Sequence, residues 1–308
     1  MSILRHIARQ SGRVRNTRKP EPGLRVAAAA AAAAAATAAA LPLLAPQQAG
    51  ASVWEQIQHN IQGGSGTAPN NPNKAGLFIQ MVNLDKPVSA SMNEVCASQA
   101  NAVNVYLGSQ YAVWFMVAAS GPSGCGGEPF GNVLIVAKDL SPTRAGGGVD
   151  PYGNPGEHDS GGNRQIFALN LNGSEHKRND CAYIGGSSAS SKWAACTLHT
   201  TAKNTTSGTP GARTQINEVR DLSTMTAPRL YMGDFNERDY IISNYTGWRW
   251  DTLSTGSGTH IPSGKKIDWV LGEGNSNFTR LNPSVVGTQG TWGYESDHYS
   301  LISYLRAT

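Results

Sequence analysis

The residues best equipped for chemistry are a scattered set: Asn60, Glu94, His199, Asp234 with Asn236, Asp268, and Asp297 with His298. Each lies on, or at the end of, a stretch that reads as a β-strand. Buried acids of like sign cannot all ionise side by side without a cation or protons between them. A hard divalent metal, held by carboxylates and completed by phosphate oxygens of a substrate, meets that requirement. Two imidazoles that titrate near neutral pH would supply proton transfer. At the centre of the set stands Arg229-Leu230-Tyr231-Met232-Gly233-Asp234-Phe235-Asn236, an apolar strand that stops at a glycine, an acid, an aromatic and an amide. Strand alternation puts Asp234 and Asn236 on one side and Phe235 in the core. Gly233 lets the backbone approach a neighbour closely. Taken singly these features have plain readings: Gly-Asp is a common turn, and a histidine in a strand is commonly a satisfied core residue. Taken together they need a shared reason.

Other signals fail on spacing. Gly258 to Gly264, followed by Lys265-Lys266, suggests a phosphate loop. It has five residues between the glycines rather than four, and Lys266 stands where Ser or Thr is needed. No Gly-x-Ser-x-Gly nucleophile elbow occurs. Ser296-Asp297-His298 is no catalytic triad if it lies on a strand, because adjacent residues there face opposite ways.

The elements that must position these residues follow from periodicity. Strands are predicted at Ser52 to Ile61, Val88 to Val95, Tyr111 to Ala119, Asn132 to Lys138, Gln165 to Leu169, Trp193 to Thr200, Lys266 to Leu271 and His298 to Ser303. Helices are predicted from an Asn73 cap to Leu84, from Ala97 to Leu107, and from Ala212 to Leu222. Glu94 falls among apolar neighbours, where an acid is costly unless paired or metal-bound. The Gly-rich, acidic loop from Ala145 to Asn163 reads as a solvated loop, with a structural Ca²⁺ site as the alternative. No fixed-period repeat or internal linker divides the chain.

The first fifty residues stand apart. Seven basic residues precede an alanine-dominated run from Val26 to Ala45, and Ala49-Gly50-Ala51 supplies a small-x-small cleavage pattern. The expectation is a signal peptide over residues 1–51, export to the extracellular medium, and one domain over 52–308. An uncleaved membrane anchor is the competing reading. This leader holds seven of the 25 Lys and Arg but one of the 21 Asp and Glu, so the remaining chain is slightly acidic. Any phosphate binding must then come from a local site rather than a basic face. Four cysteines permit three connectivities. An exported chain favours two disulfides, and proximity selects Cys96–Cys125 and Cys181–Cys196.

The sequence resembles the endonuclease/exonuclease/phosphatase superfamily, which includes secreted pancreatic-type deoxyribonuclease and the nuclease subunit of cytolethal distending toxins. The segments that carry the resemblance are His59-Asn60-Ile61-Gln62-Gly63, Asn93-Glu94-Val95, Thr197-Leu198-His199-Thr200, Gly233-Asp234-Phe235-Asn236, Lys266-Ile267-Asp268-Trp269-Val270 and Ser296-Asp297-His298. They occur in the family's order and span the chain after the leader. The resemblance implies a four-layer α/β sandwich, two packed mixed β-sheets flanked by helices. It also implies a monomeric, Mg²⁺- or Mn²⁺-dependent phosphodiesterase acting on nucleic acid, DNA ahead of RNA, with no stable membrane association after cleavage. A phosphatase or phospholipase C-type enzyme of the same fold is the alternative, and a catalytically silent binding subunit a further one. By the same resemblance Glu94, with Asn60 and Asp297, would hold the metal, and Asp234 and Asn236 would position water and phosphate. His298, oriented by Asp268, would act as base or cation, His199 as general acid, and Arg164 would touch a substrate phosphate. Two positions depart from the family's pattern: Gln62 where many relatives carry an acid, and Asn93 where a glutamine is usual. Glu128 is a candidate partner for His199.

Overall fold

Two parallel strand pairs, one in each of two β-sheets, organise the molecule. The computed structural model describes residues 54–64, 71–119, 121–144, 166–172, 175–185, 193–202, 211–221, 227–251, 258–281, 285–286 and 296–308. The expected leader, the acidic loop and Arg164 lie outside these residues.

The first half runs β1 (Glu55–Asn60), α1 (Gly76–Asp85), β2 (Ser89–Cys96), α2 (Ala97–Leu107), β3 (Tyr111–Ala119), β4 (Phe130–Ala137) and β5 (Thr143–Arg144). The second half runs β6 (Ile166–Asn172), β7 (Glu175–Ile184), β8 (Trp193–His199), α3 (Ala212–Asp221), β9 (Arg229–Asp234), α4 (Asp239–Asn244), β10 (Arg249–Trp250), β11 (Asp268–Gly272), β12 (Phe278–Arg280), β13 (Val285–Val286) and β14 (Leu301–Ala307). One sheet has the order β12-β14-β1-β2-β4-β3, with β13 on β14; the other has β10-β11-β9-β8-β7-β5, with β6 on β7. β1 and β2 are parallel, as are β8 and β9, and every other pairing is antiparallel. A parallel pair needs a crossover, which α1 and α3 lie within.

Three apolar layers separate four structural ones. Phe78, Val82, Val103 and Leu107 of α1 and α2 pack on Ile57, Met92 and Ile135 of the first sheet. Ile216 and Val219 of α3 pack with Tyr231, Trp269 and the α4 residue Ile241 on the second sheet. Between the sheets lie Met116, Leu134, Trp193, Leu230, Met232, Val270 and Leu301. This is the expected four-layer sandwich. Cys96–Cys125 ties the start of α2 to the turn before β4, and Cys181–Cys196 joins directly paired residues of β7 and β8.

The local differences from the sequence reading have physical causes. Asn71, not Asn73, is the cap: its side chain accepts from Asn73 N, and a 3₁₀ turn over Pro72–Ala75 precedes α1. The strand expected from His298 begins at Leu301. β7 has no apolar alternation over Glu175-His176-Lys177-Arg178-Asn179-Asp180, and this half is paired by β6, while Cys181 to Ile184 pair with β8 and in part with β5. Trp248 stacks on Tyr231 at 5.9 Å, and Trp250 lies under Arg280.

Candidate active site

Both parallel pairs end at the same edge. Asn60 closes β1 and pairs in register with Asn93 of β2, the residue before Glu94; His199 closes β8 in register with Asp234, which closes β9. Asp268 opens β11, antiparallel to β9 and opposite Asp234. Asp297 and His298 stand before β14, off the ladder, which lets both neighbours reach one cleft. That cleft, of about 570 Å³, is lined by Glu94, His199, Asp234, Asn236, Asp297 and His298 among others.

Glu94 reaches the cleft through a β-bulge. Met92 pairs with Val133 and Val95 with Gly131, so Asn93 and Glu94 together oppose one residue, and Glu94 takes φ +57°. A bulge re-aims a side chain that strand alternation would misplace. Asn236 also differs from the alternation argument. β9 ends at Asp234, and Asn236 returns to the cleft through a left-handed turn with φ +51°, its N–H donating to Asp234 Oδ1 at 2.8 Å. Phe235 is buried in the core, as expected. A side chain at Gly233 would fall on the Leu198 carbonyl, so glycine is what lets β8 and β9 close.

The polar groups form a connected network. Asn60 Nδ2 donates to Glu94 Oε1 (3.1 Å) and Asp234 Oδ2 (3.0 Å), while Asn60 Oδ1 accepts from Gln62 N (3.0 Å). Asn60 therefore braces the two acids, and would offer an oxygen to a cation only with its amide turned over. His298 Nδ1 donates to Asp268 Oδ2 at 2.7 Å, which turns Nε2 toward Asp234 Oδ2 at 3.6 Å. His199 Nε2 lies 3.9 Å from Glu94 Oε1 and 4.0 Å from Asp234 Oδ2. Asn236 Nδ2 donates to Thr200 O at 2.9 Å.

Electrostatics divide the buried groups. Burial, then the nearby Asp268 charge, push Asp234 up to about 7. Burial works against the charge on Asp268, yet His298 and its hydrogen bond hold it below the usual carboxylate range. Burial also works against protonating His298, but Asp268 and Asp234 outweigh it and lift the imidazole to about 10. Glu94, His199 and Asp234 offer ligand atoms within 4.8 Å of one another, and burial and Asp268 outweigh the His298 charge and the Asn236 and Asn60 hydrogen bonds that favour the Asp234 anion. That donor set suits a divalent cation, which would hold Asp234 ionised.

Several residues at the site have weak sequence signals. Asn93 Oδ1 accepts from Asp234 N at 2.9 Å and from Gln58 Nε2 at 2.7 Å. Asn179 Oδ1 receives the His199 N–H at 2.6 Å. Thr259 Oγ1 receives the N–H groups of Ile267 and Asp268, both at 3.0 Å. His260 lies in the stretch discounted as a phosphate loop; a histidine between two turns was its only signal. Glu128, the candidate partner of His199, instead accepts from Ser98 N at the start of α2.

No protein-family model matches the chain, and no curated protein matches it. Solved structures match its fold. TDP2 from D. rerio, complexed with a single-strand DNA product, aligns with TM-score 0.59 and 12% identity over 83% of this chain and 100% of its own. The catalytic domain of human Nocturnin, with bound sulfate, aligns with TM-score 0.56 and 12% identity over 83% and 94%. An endonuclease/exonuclease/phosphatase protein from Beutenbergia cavernae aligns with TM-score 0.58 and 15% identity over 82% and 71%.

Proposed function

We propose that this chain, which has the fold of the endonuclease/exonuclease/phosphatase proteins, is an exported, divalent-metal-dependent phosphodiesterase that cleaves nucleic acid internally, DNA ahead of RNA. The observation that carries this reading is the convergence of Glu94, Asp234, His199 and the Asp268–His298 pair on one cleft at the edge of both sheets. Export, with cleavage near Ala51, is supported by the two disulfides, since such bonds persist in oxidising compartments.

Glu94, with Asp297 across the cleft and Asn60 behind it, would hold Mg²⁺ or Mn²⁺. Such a cation supplies charge neutralisation at phosphoryl oxygens. The proton affinities choose between the two roles open to His298. At neutral pH an imidazole lifted to about 10 is a cation, suited to the charge that develops on the phosphate. Asp234, buried between Asn60 and His298 and ionised beside a bound cation, is the group poised to take a proton from water. Asn236, tied by its amide to Thr200 O, orients that water. His199, beside Glu94, protonates the leaving oxygen. Trp248 and Trp250 are engaged in packing, which favours nucleic acid over a lipid headgroup as substrate.

Supercoiled-plasmid nicking with Mg²⁺ or Mn²⁺, with and without chelator, tests this, beside phosphate release from inositol phosphates and sphingomyelin hydrolysis. Nicking abolished by chelator is expected. His298→Ala and Asp234→Ala should each lower turnover by at least about two orders of magnitude. A wild type that never nicks rejects the nuclease reading, and activity surviving either substitution removes that residue from the mechanism.

A further inference from the structure

The cleft holds a histidine that the hydrolysis does not use. His260 sits on the turn from Gly258 to Lys265, bridged on one side to Lys265 and on the other to His298. Ile261 N donates to Asp297 O at 2.7 Å and Tyr299 N to Thr259 O at 2.7 Å, which stitches this turn to the Asp297-His298 segment. The placement is therefore built into the site.

The two imidazoles are arranged alike around Asp297. His260 has Nδ1 2.7 Å from Ser263 Oγ and Nε2 3.5 Å from Asp297 Oδ2. His298 has Nδ1 2.7 Å from Asp268 Oδ2 and Nε2 3.8 Å from Asp297 Oδ1. In each ring one nitrogen is backed by an oxygen and the other faces a shared carboxylate. That is how metal-binding histidines are held, the outer partner fixing tautomer and ring orientation. The three ligand atoms lie within 4.8 Å of one another. Bonds of about 2.0–2.2 Å would draw them together by a few tenths of an ångström to about one ångström. Two side chains remain open to solvent, His260 24% and Asp297 30% exposed, so an ion has a way in.

We propose that His260, Asp297 and His298 form a second metal site, adjoining the carboxylate-lined one and sharing Asp297 with it, that takes a zinc-class transition-metal ion. Two imidazoles and one carboxylate select such an ion over Mg²⁺, which prefers all-oxygen surroundings. An ion there displaces the Nε2 proton of His298 to solvent and occupies that nitrogen, so zinc inhibits Mg²⁺-supported hydrolysis. The inhibition rests on the function proposed above; the site itself does not.

The test is calorimetric titration of the chelator-stripped protein with Zn²⁺ in excess Mg²⁺, repeated with Co²⁺ while following its visible ligand-field absorption. Wild type should bind one equivalent, with imidazole-type Co²⁺ absorption. His260→Ala should weaken binding at least about a hundredfold and keep Mg²⁺-supported nicking, with zinc inhibition displaced by the same factor. Ser263→Ala, which leaves both rings in place, should weaken binding about tenfold, as loss of an outer partner does. Unchanged Zn²⁺ affinity in His260→Ala overturns the site. So does binding abolished by His199→Ala but not by His260→Ala, which would place the ion with Glu94 and Asp234. A wild type that binds Zn²⁺ but never nicks DNA would leave this site standing and reject the nuclease function.

Discussion

Two buried acids and one half-buried acid show how differently a carboxyl is treated by its surroundings. Asp268 faces His298 and the Thr259 hydroxyl and stays ionised; Asp234 is pushed up to about 7. Glu55, on the first strand, is pushed up to about 8 by burial and by Asp85, and its Oε1 meets no donor among the described residues. A carboxyl whose folded pKa exceeds its unfolded value binds protons preferentially when folded, so stability falls as pH rises through that interval. For Glu55 the loss starts near the ordinary value of 4.5 and is complete above about 8. Glu55→Gln should therefore raise the melting temperature at pH 9 and leave it nearly unchanged at pH 4. Equal effects at both values in thermal unfolding would show that the acid is not held protonated. Single residues also mark a boundary of what sequence reveals. An acid in an apolar strand made Glu94 visible, but the bulge and positive φ that aim it depend on its pairing with β4, which no local pattern encodes.

The short segment that delivers Asp268 is held by a buried ion pair. Lys266 Nζ donates to Asp251 Oδ2 (3.0 Å) and to the Asp268 carbonyl (2.9 Å), and lies 4.1 Å from the Trp269 ring centroid. Both charged side chains are fully buried, and Asp251 Oδ2 also accepts from Val270 N. Removing one partner of such a pair strands the other charge, which costs about 3–5 kcal/mol. Lys266→Met is expected to lose that much in denaturant unfolding, and Lys266→Met with Asp251→Asn to recover most of it. A double variant no more stable than the single one would mean that the pair is not the cause. Lys266 drew notice in the sequence as part of a failed phosphate loop and as the first residue of a strand, not as half of an ion pair. The elements around it were legible where apolar runs met turns, as in β3, β4 and β9. They were not legible where tertiary contact overrode composition, as in the polar start of β7 and the short strands β10, β12 and β13, which exist only against their neighbours.

At the scale of the molecule, the site exists because two sheets with like centres face each other. The interface between them is apolar around Leu134, Met232 and Val270 and becomes polar toward the cleft. Ser91 Oγ meets Thr197 Oγ1 at 2.6 Å, Asn93 Nδ2 donates to Asn132 Oδ1 at 3.0 Å, and Gln58 Nε2 reaches Asp268 Oδ1 at 3.3 Å. Asn93 is the hub, since its Oδ1 also holds the N–H of Asp234 in the opposite sheet. The four-layer architecture followed from the resemblance of six segments, and the acids were visible at the ends of predicted strands; this seam was not, because buried amides carry no periodic signal. Asn93→Ala orphans several buried groups, each costing about 1–3 kcal/mol, and removes one of the two bonds that tie Asp234 to the first sheet, leaving that from Asn60. The expected result is a stability loss of roughly 2–4 kcal/mol, together with a fall in kcat of the proposed hydrolysis at nearly constant KM. Ser91→Ala, at the same seam but with no bond to a strand-end acid, should lose about 1 kcal/mol and keep its kcat. If both variants destabilise yet turn over at the wild-type rate, Asp234 is positioned without Asn93, by its own strand and by Asn60, and the amide seam between the sheets contributes stability rather than catalytic geometry.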